Sequence, residues 1–284
     1  MSAGATLVPI SNPATRRRRS RMPRWYRRNE ALVLGVSGFM VFLLAWELGA
    51  RTGAVEEFFF SKPTSIITTY AKEVQVPRFW DDVATSMSEL AVGFVGAIGL
   101  GVPLGIAIGW YRRLGYMFDP WLNFFNALPR IALLPLIVLW LGLGVEAKYF
   151  LVFLAAFFSI VVPTSQGVKT VDRTMLDVGR SLGASQRRIF TTIVLPSTVP
   201  FMIAGVRLGI GRGLAGVVVA EFYAQTKGVG VIIVKAGQSL DSSRLLMGVL
   251  IFTMSAIVMA FLVGLVEGRV ERWRPGLDSE EGGA

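Results

Sequence analysis

Six stretches of this chain are apolar over about the length that crosses a bilayer, and the segments between them hold most of the charge. They run roughly over residues 31–49, 89–110, 119–142, 147–167, 200–222 and 246–266. Charged residues make up 17% of the chain, against about 25% in soluble domains, which disfavours a soluble protein. The expected fold is an all-α membrane protein with six transmembrane helices. The third run is the least continuous. Its most apolar part, Ile131 to Leu143, is too short to cross alone, and Pro129 and Pro135 predict a kinked or broken helix.

The net charge of +10 suggests a nucleic-acid partner until its location is examined. Eight arginines lie between Arg16 and Arg28, directly before the first apolar run, and without them the chain is nearly neutral. Such a cluster is a topology signal that keeps the N-terminus inside, and it also suits anionic headgroups. No folded basic surface accompanies it, so nucleic acid is not an expected partner. A cleaved secretory signal is disfavoured because the apolar run is long and no small-x-small site follows it. Asn29-Glu30 spoils Arg27-Arg28 as a twin-arginine export motif. With the N-terminus inside, the inner segments carry 18 basic residues and the outer ones 8, a self-consistent orientation. The expected organisation is a basic disordered tail over 1–30, a transmembrane domain over 31–270 with a cytoplasmic loop at 168–199, and a cytoplasmic tail over 271–284. Both termini are expected on the cytoplasmic side. The outer segment Ala50–Ser88 predicts a short surface helix over 64–74, capped by Thr64 or Ser65.

Two runs carry ladders of small residues. Gly93, Ala97, Gly101, Gly105 and Gly109 recur every four residues in the second run, and Gly205, Gly209 and Gly213 do so in the fifth. That spacing lines one helix face and lets another backbone approach closely, so these glycines are read as helix-packing positions. The sequence leaves open whether the approaching backbone belongs to the same subunit.

The inner loop before the fifth run reads as two short helices around a turn. Asp172 is placed to cap the first helix and Ser185 the second. Gly183 sits where a helix end needs the left-handed conformation. Pro196 is expected to end the second helix. An elbow of this shape, with Arg180, Arg187 and Arg188 on it, suits docking of a soluble partner.

From Asp177 the loop runs Asp-Val-Gly, three residues, Gly183, nine residues, then Ile193-Val194-Leu195-Pro196. That spacing resembles the signature loop of bacterial ABC importer permeases: Glu-Ala-Ala, three residues, Gly, nine residues, Ile-x-Leu-Pro. The departure is Val178-Gly179 in place of Ala-Ala, which weakens the helix and predicts a less rigid loop. Leu128-Pro129-Arg130 through Gly144, Ser181-Leu182-Gly183-Ala184-Ser185, Gly205-Val206-Arg207-Leu208-Gly209, Val219-Ala220-Glu221 and Lys227-Gly228-Val229-Gly230 resemble the nitrate, sulfonate, taurine and bicarbonate branch. The resemblance covers roughly residues 60–272.

The resemblance implies a type I importer permease of the MetI-like fold in a bacterial inner membrane. It also implies a cytoplasmic ABC ATPase dimer, an external solute-binding protein and a second permease copy in a homodimer, all acting by alternating access. Asp177, Arg180, Ser181, Gly183, Ala184, Arg187, Arg188 and Pro196 become the candidates for ATPase coupling. The chain has no Gly-x-x-x-x-Gly-Lys-Ser/Thr loop, so ATP and Mg are expected on the partner and no cofactor on this chain.

Arg130, Arg207, Arg212 and Glu221 lie in or near the runs, where charge is expensive and faces a cavity or a partner. They are the candidates for a solute pathway. No acidic residue occurs between Asp119 and Glu146 or between Asp177 and Glu221, which favours a small anion or organic acid as solute. Structural pairing of these arginines is the competing reading. Glu47 and Glu89 are expected at the membrane interface. The chain has no His and no Cys, which excludes disulfides, thiolate chemistry, His-dependent triads and the usual zinc sites. No metal site is expected and the chain is not read as an enzyme. A secondary transporter would need inverted repeats and midplane coupling-ion groups, and neither is visible.

Overall fold

The structure, a computed structural model, describes residues 24–54 and 56–271, with side chains for all of these except 24–28, 130, 131, 270 and 271. Residues 1–23 and 272–284, which hold most of the two expected tails, lie outside the described residues. Every regular element is helical. Among the described residues, five helices are long and apolar enough to cross a membrane: Asn29–Arg51, Pro77–Trp110, Val145–Lys169, Gln186–Ala224 and Ser242–Arg269.

The third expected span is not one helix. Helix α5 (Arg112–Ala127) follows α4 (Pro77–Trp110) after the single residue Tyr111. It stops where Leu128 takes an extended conformation, φ −71° and ψ 130°. Leu128 precedes Pro129, and the proline ring disfavours a helical conformation in the residue before it. A 3-10 turn over Arg130–Leu133 and the eight-residue α6 (Leu134–Leu141) complete the segment. Gly142, at φ +76°, closes α6.

The centre of the bundle is α7 (Val145–Lys169), packed between α4 and α10 (Leu195–Ala224). The small-residue ladders make this possible. A Cβ built on Gly105 would lie 2.8 Å from Thr164 Cβ, and one on Gly93 would lie 2.6 Å from Val152 Cβ. Gly101 and Gly109 face Ile160 and Val168 in the same way. On the other side of α7, Gly205 and Gly209 approach Ile160, and Gly213 meets Leu90. Both ladders therefore pack within one subunit. Apolar helices gain little from leaving lipid for each other, so close backbone approach is what holds them together. Leu90, Phe94, Val152, Ile160, Ile210, Leu214 and Val217 fill the remaining space.

The segment between the first two spans is more helical than expected. It contains α2 (Glu57–Phe60), α3 (Pro63–Glu73) and the first turns of α4. Neither Thr64 nor Ser65 caps α3, whose N-cap position is Lys62. Glu47, near the end of α1 (Arg24–Arg51), supplies the acceptor: Thr64 donates to it from its backbone N at 3.2 Å and from its hydroxyl at 2.9 Å. A further short apolar helix, α11 (Val229–Gln238), lies between α10 and α12 (Ser242–Glu271).

Pro196 does not end the elbow's second helix. Helix α9 (Gln186–Ile189) runs through a π turn over Phe190–Val194 into α10, giving one continuous helix over Gln186–Ala224. The proline sits in the first turn of α10. Widening the preceding turn separates its ring from the carbonyl it would otherwise strike.

Candidate functional site

The elbow consists of α8 (Arg173–Ser181), a turn at Gly183, and α9. Its ends are fixed as the local sequence requires. Asp172 Oδ1 accepts the Thr174 backbone N–H at 2.8 Å, and Ser185 Oγ accepts that of Arg188 at 3.3 Å. Gly183 is at φ +74° with open space where a Cβ would be. Helix α8 is unbroken through Val178 and Gly179. Gly179 is buried, and an added Cβ would lie 3.4 Å from Ile189 Cγ1 of α9 and 3.2 Å from Ile193 Cδ1 of the π turn that follows it. The glycine lets the two short helices touch. Val168, Val171, Ile189 and Val194 seat the elbow against Ile106 and Trp110 of α4.

The outer face of the elbow is open. Leu182 is 81% exposed, and Met175 and Val178 are exposed beside it. Arg180, Ser181, Arg187, Arg188 and Pro196 are exposed too, while Ala184 is half-buried. Asp177 accepts a hydrogen bond from Arg180 at 2.9 Å, one turn along the same helix. The elbow thus exposes apolar and cationic side chains together. Sequence reasoning found the cations and missed Leu182, Met175 and Val178, because an apolar residue is visible as a docking group only once its exposure is known.

The charges inside the spans separate into three groups. Arg207 forms an ion pair with Glu267 of α12. Glu221 is fully buried: Ser86 donates to its Oε1 at 2.5 Å and the Gly230 backbone N–H to its Oε2 at 2.5 Å. Glu89 is buried, and Lys148 donates to it at 2.8 Å and to the Lys227 carbonyl at 3.2 Å. Asp82 accepts the Gly228 N–H at 3.0 Å, and Ser86 accepts that of Val229 at 2.8 Å. This buried cluster satisfies the start of α11, where Gly228 is at φ +126° and leaves no room for a Cβ beside Glu221. Asp82, Ser86, Lys148 and α11 itself were missed in the sequence. Their signal was present: Asp82, Ser86 and Glu89 stand at i, i+4 and i+7, one face of α4.

Arg212 belongs to neither cluster. It lines a cavity of about 220 Å³ with Asn126, Leu128, Pro129, Gly216 and Val219. The side chain of Arg130 lies outside the described residues, although its backbone opens the 3-10 turn beside that cavity.

Residues 101–272 match the family described as binding-protein-dependent transport system inner membrane component. A probable ABC transporter permease protein of Brucella abortus is 32% identical over 247 residues, covering 87% of this chain and 98% of the relative. The chain belongs to this permease family.

The taurine transport system permease protein TauC of Escherichia coli is 26% identical to the permease over 89% of this chain and 94% of its own. Permeases named for aliphatic sulfonates and for bicarbonate are similar to it as well, which places it in that branch. Its fold is that of a chain of the MetNI methionine ABC transporter, with a TM-score of 0.58 at 16% identity, over 69% of this chain and 98% of that one. The permease is thus a multi-pass inner-membrane subunit of an ABC importer served by a binding protein. An importer of this kind works with an ATPase and a solute-binding protein.

Proposed function

We propose that the permease forms the solute path of an ATP-driven importer for a small anion, with the elbow as the seat of a separate ATPase. The observation that carries this reading is the elbow's outer face. Leu182 stands 81% exposed at the turn of the elbow, with Arg180, Arg187 and Arg188 exposed on the two helices that flank it. Exposed apolar and cationic side chains together suit a groove with an acidic rim. The π turn and Pro196 join the elbow to α10 without a break, so a push on α9 is transmitted along that helix.

In this reading Asp177, Arg180, Ser181, Gly183, Ala184, Arg187 and Arg188 contact or shape the ATPase seat. The elbow faces the cytoplasm, with both termini on that side, as the arrangement of basic residues favours. Residues 31–270 form the membrane domain, with 168–199 as its coupling segment. Two copies of the permease face each other across the path, and an external binding protein delivers the solute. ATP and Mg are held by the ATPase; this chain contributes no ATP-hydrolysing site of its own, in keeping with the missing phosphate-binding loop. Relatives named for taurine, sulfonates and bicarbonate favour an oxyanion as solute.

Leu182→Asp tests the seat. The variant inserts normally, because the side chain touches little of its own subunit, but the ATPase no longer co-purifies and ATP-driven uptake stops. Retained ATPase with full uptake overturns the assignment, as does uptake by the wild-type permease with no ATPase present.

A further inference from the structure

We propose that Arg212 is the anion-selecting side chain of the solute path, acting from the cavity beside the Leu128–Pro129 break. This rests on the importer reading above and adds a residue and a ligand chemistry to it.

The depth of Arg212 comes first. It lies within α10, and Ala224 ends that helix twelve residues further on. At 1.5 Å per residue this is about 18 Å, which puts Arg212 near the middle of a hydrocarbon layer about 30 Å thick. A side chain at that depth cannot reach either interface by stretching. It faces lipid at high cost, or protein, or water.

Its surroundings decide between these. Lys148 is paired with Glu89, and Arg207 with Glu267. Among the described residues no carboxylate pairs with Arg212, and the residue is exposed in the subunit. The cavity it lines also borders the break between α5 and α6, where Leu128 is extended and the helical hydrogen-bond ladder stops. Interrupted backbone at membrane depth is tolerated where protein covers it or where it lines a water-filled cavity. An unpaired cation and a backbone break, on separate segments of the chain, thus meet at one cavity.

The lining names the ligand class. Among the described residues Arg212 is the one charged member of the lining, and Leu128, Leu151, Ala155 and Val219 make most of the rest apolar. A planar guanidinium gives two parallel hydrogen bonds to a sulfonate or carboxylate. Apolar walls accept a short carbon chain attached to that head. A cation in a lining of low polarity also rejects cations. The class is therefore a small organic or inorganic oxyanion with one head group.

The chain has no cysteine, so Arg212→Cys carries the only thiol. The variant is assembled with its ATPase and binding protein in proteoliposomes. It is then treated with membrane-impermeant methanethiosulfonates, one adding trimethylammonium and one adding sulfonate. Taurine, butanesulfonate and bicarbonate serve as transport probes. Both reagents are expected to label residue 212. Arg212→Gln is expected to lower uptake by about tenfold or more, as loss of a charged hydrogen-bond donor does, while Arg212→Lys retains part of it. The trimethylammonium adduct, which supplies charge without a hydrogen-bond donor, is expected to restore part of the uptake and the sulfonate adduct none. No labelling by either reagent overturns the proposal. So does uptake in Arg212→Gln equal to that of the wild type. If the wild-type assembly moves none of the three probes, the anion-importer reading falls, and labelling alone then decides where Arg212 faces.

Discussion

Asp177–Arg180 on the elbow and Glu89–Lys148 in the core are ion pairs of nearly equal length, 2.9 and 2.8 Å, in opposite surroundings. The elbow pair is exposed, at 69% and 55%, and joins two residues of one helix. The core pair is 1% and 3% exposed and joins α4 to α7. Water solvates the first pair almost as well apart as together, so the pair contributes little to stability. Water does not reach the second, and each of its charges depends on the other. The same residue types hold the subunit together in one place and remain available to another protein in the other.

Removing one member of the core pair is the most severe way to test this. Lys148→Ala leaves Glu89 buried beside Glu221 and takes a donor from the Lys227 carbonyl. A loss of about 3–5 kcal/mol is expected, as for an orphaned buried charge. It should appear as a large drop in the unfolding temperature of the detergent-solubilised protein. Adding Glu89→Gln to that variant removes the orphaned charge and should recover much of the loss. A single variant as stable as the wild type would break the comparison, because the core pair would then behave like a surface one.

The two regions also differ in how far they were legible. The elbow is written in short-range code. Asp172, Ser185 and Gly183 act on residues within three positions of themselves, so their roles follow from spacing. The core cluster is written across the fold. Ser86 and Glu221 are 135 residues apart in sequence, and only packing brings them together. The Asp82-Ser86-Glu89 face could have been noticed, since three polar groups on one stripe of an apolar helix need partners there. Pro129 announced a break but not its outcome, because a proline inside an apolar run kinks some helices and divides others. The π turn before Pro196 was illegible for the same reason: the sequence marks where the ladder is disturbed, not how the backbone accommodates it.

Gly183→Val is an intermediate perturbation, directed at the elbow. Nothing lies within 4 Å of the added Cβ, so the effect comes through the backbone, which valine disfavours at φ +74°. The cost is about 1–2 kcal/mol, local to the turn. Membrane insertion and core stability should persist while ATP hydrolysis no longer drives uptake. Gly183→Asn, which tolerates the left-handed conformation, should keep coupling. A valine variant with wild-type transport removes the turn from the coupling role.

The smallest expected effect sharpens the comparison most. Asp177→Asn deletes the elbow pair without changing the size of the side chain. An exposed pair one turn apart contributes between zero and about 1 kcal/mol, so the unfolding temperature should barely move. The carboxylate's value lies in the ATPase complex. There it stands among Arg180, Arg187 and Arg188, where it limits the positive charge that the partner meets. Affinity for the purified ATPase and its salt dependence are the quantities to measure, beside thermal unfolding of the free permease. A change in binding with no change in stability places Asp177 with the docking surface. A stability loss approaching that of Lys148→Ala would mean that exposure does not separate the two kinds of pair, and that α8 depends on its own salt bridge to stay folded.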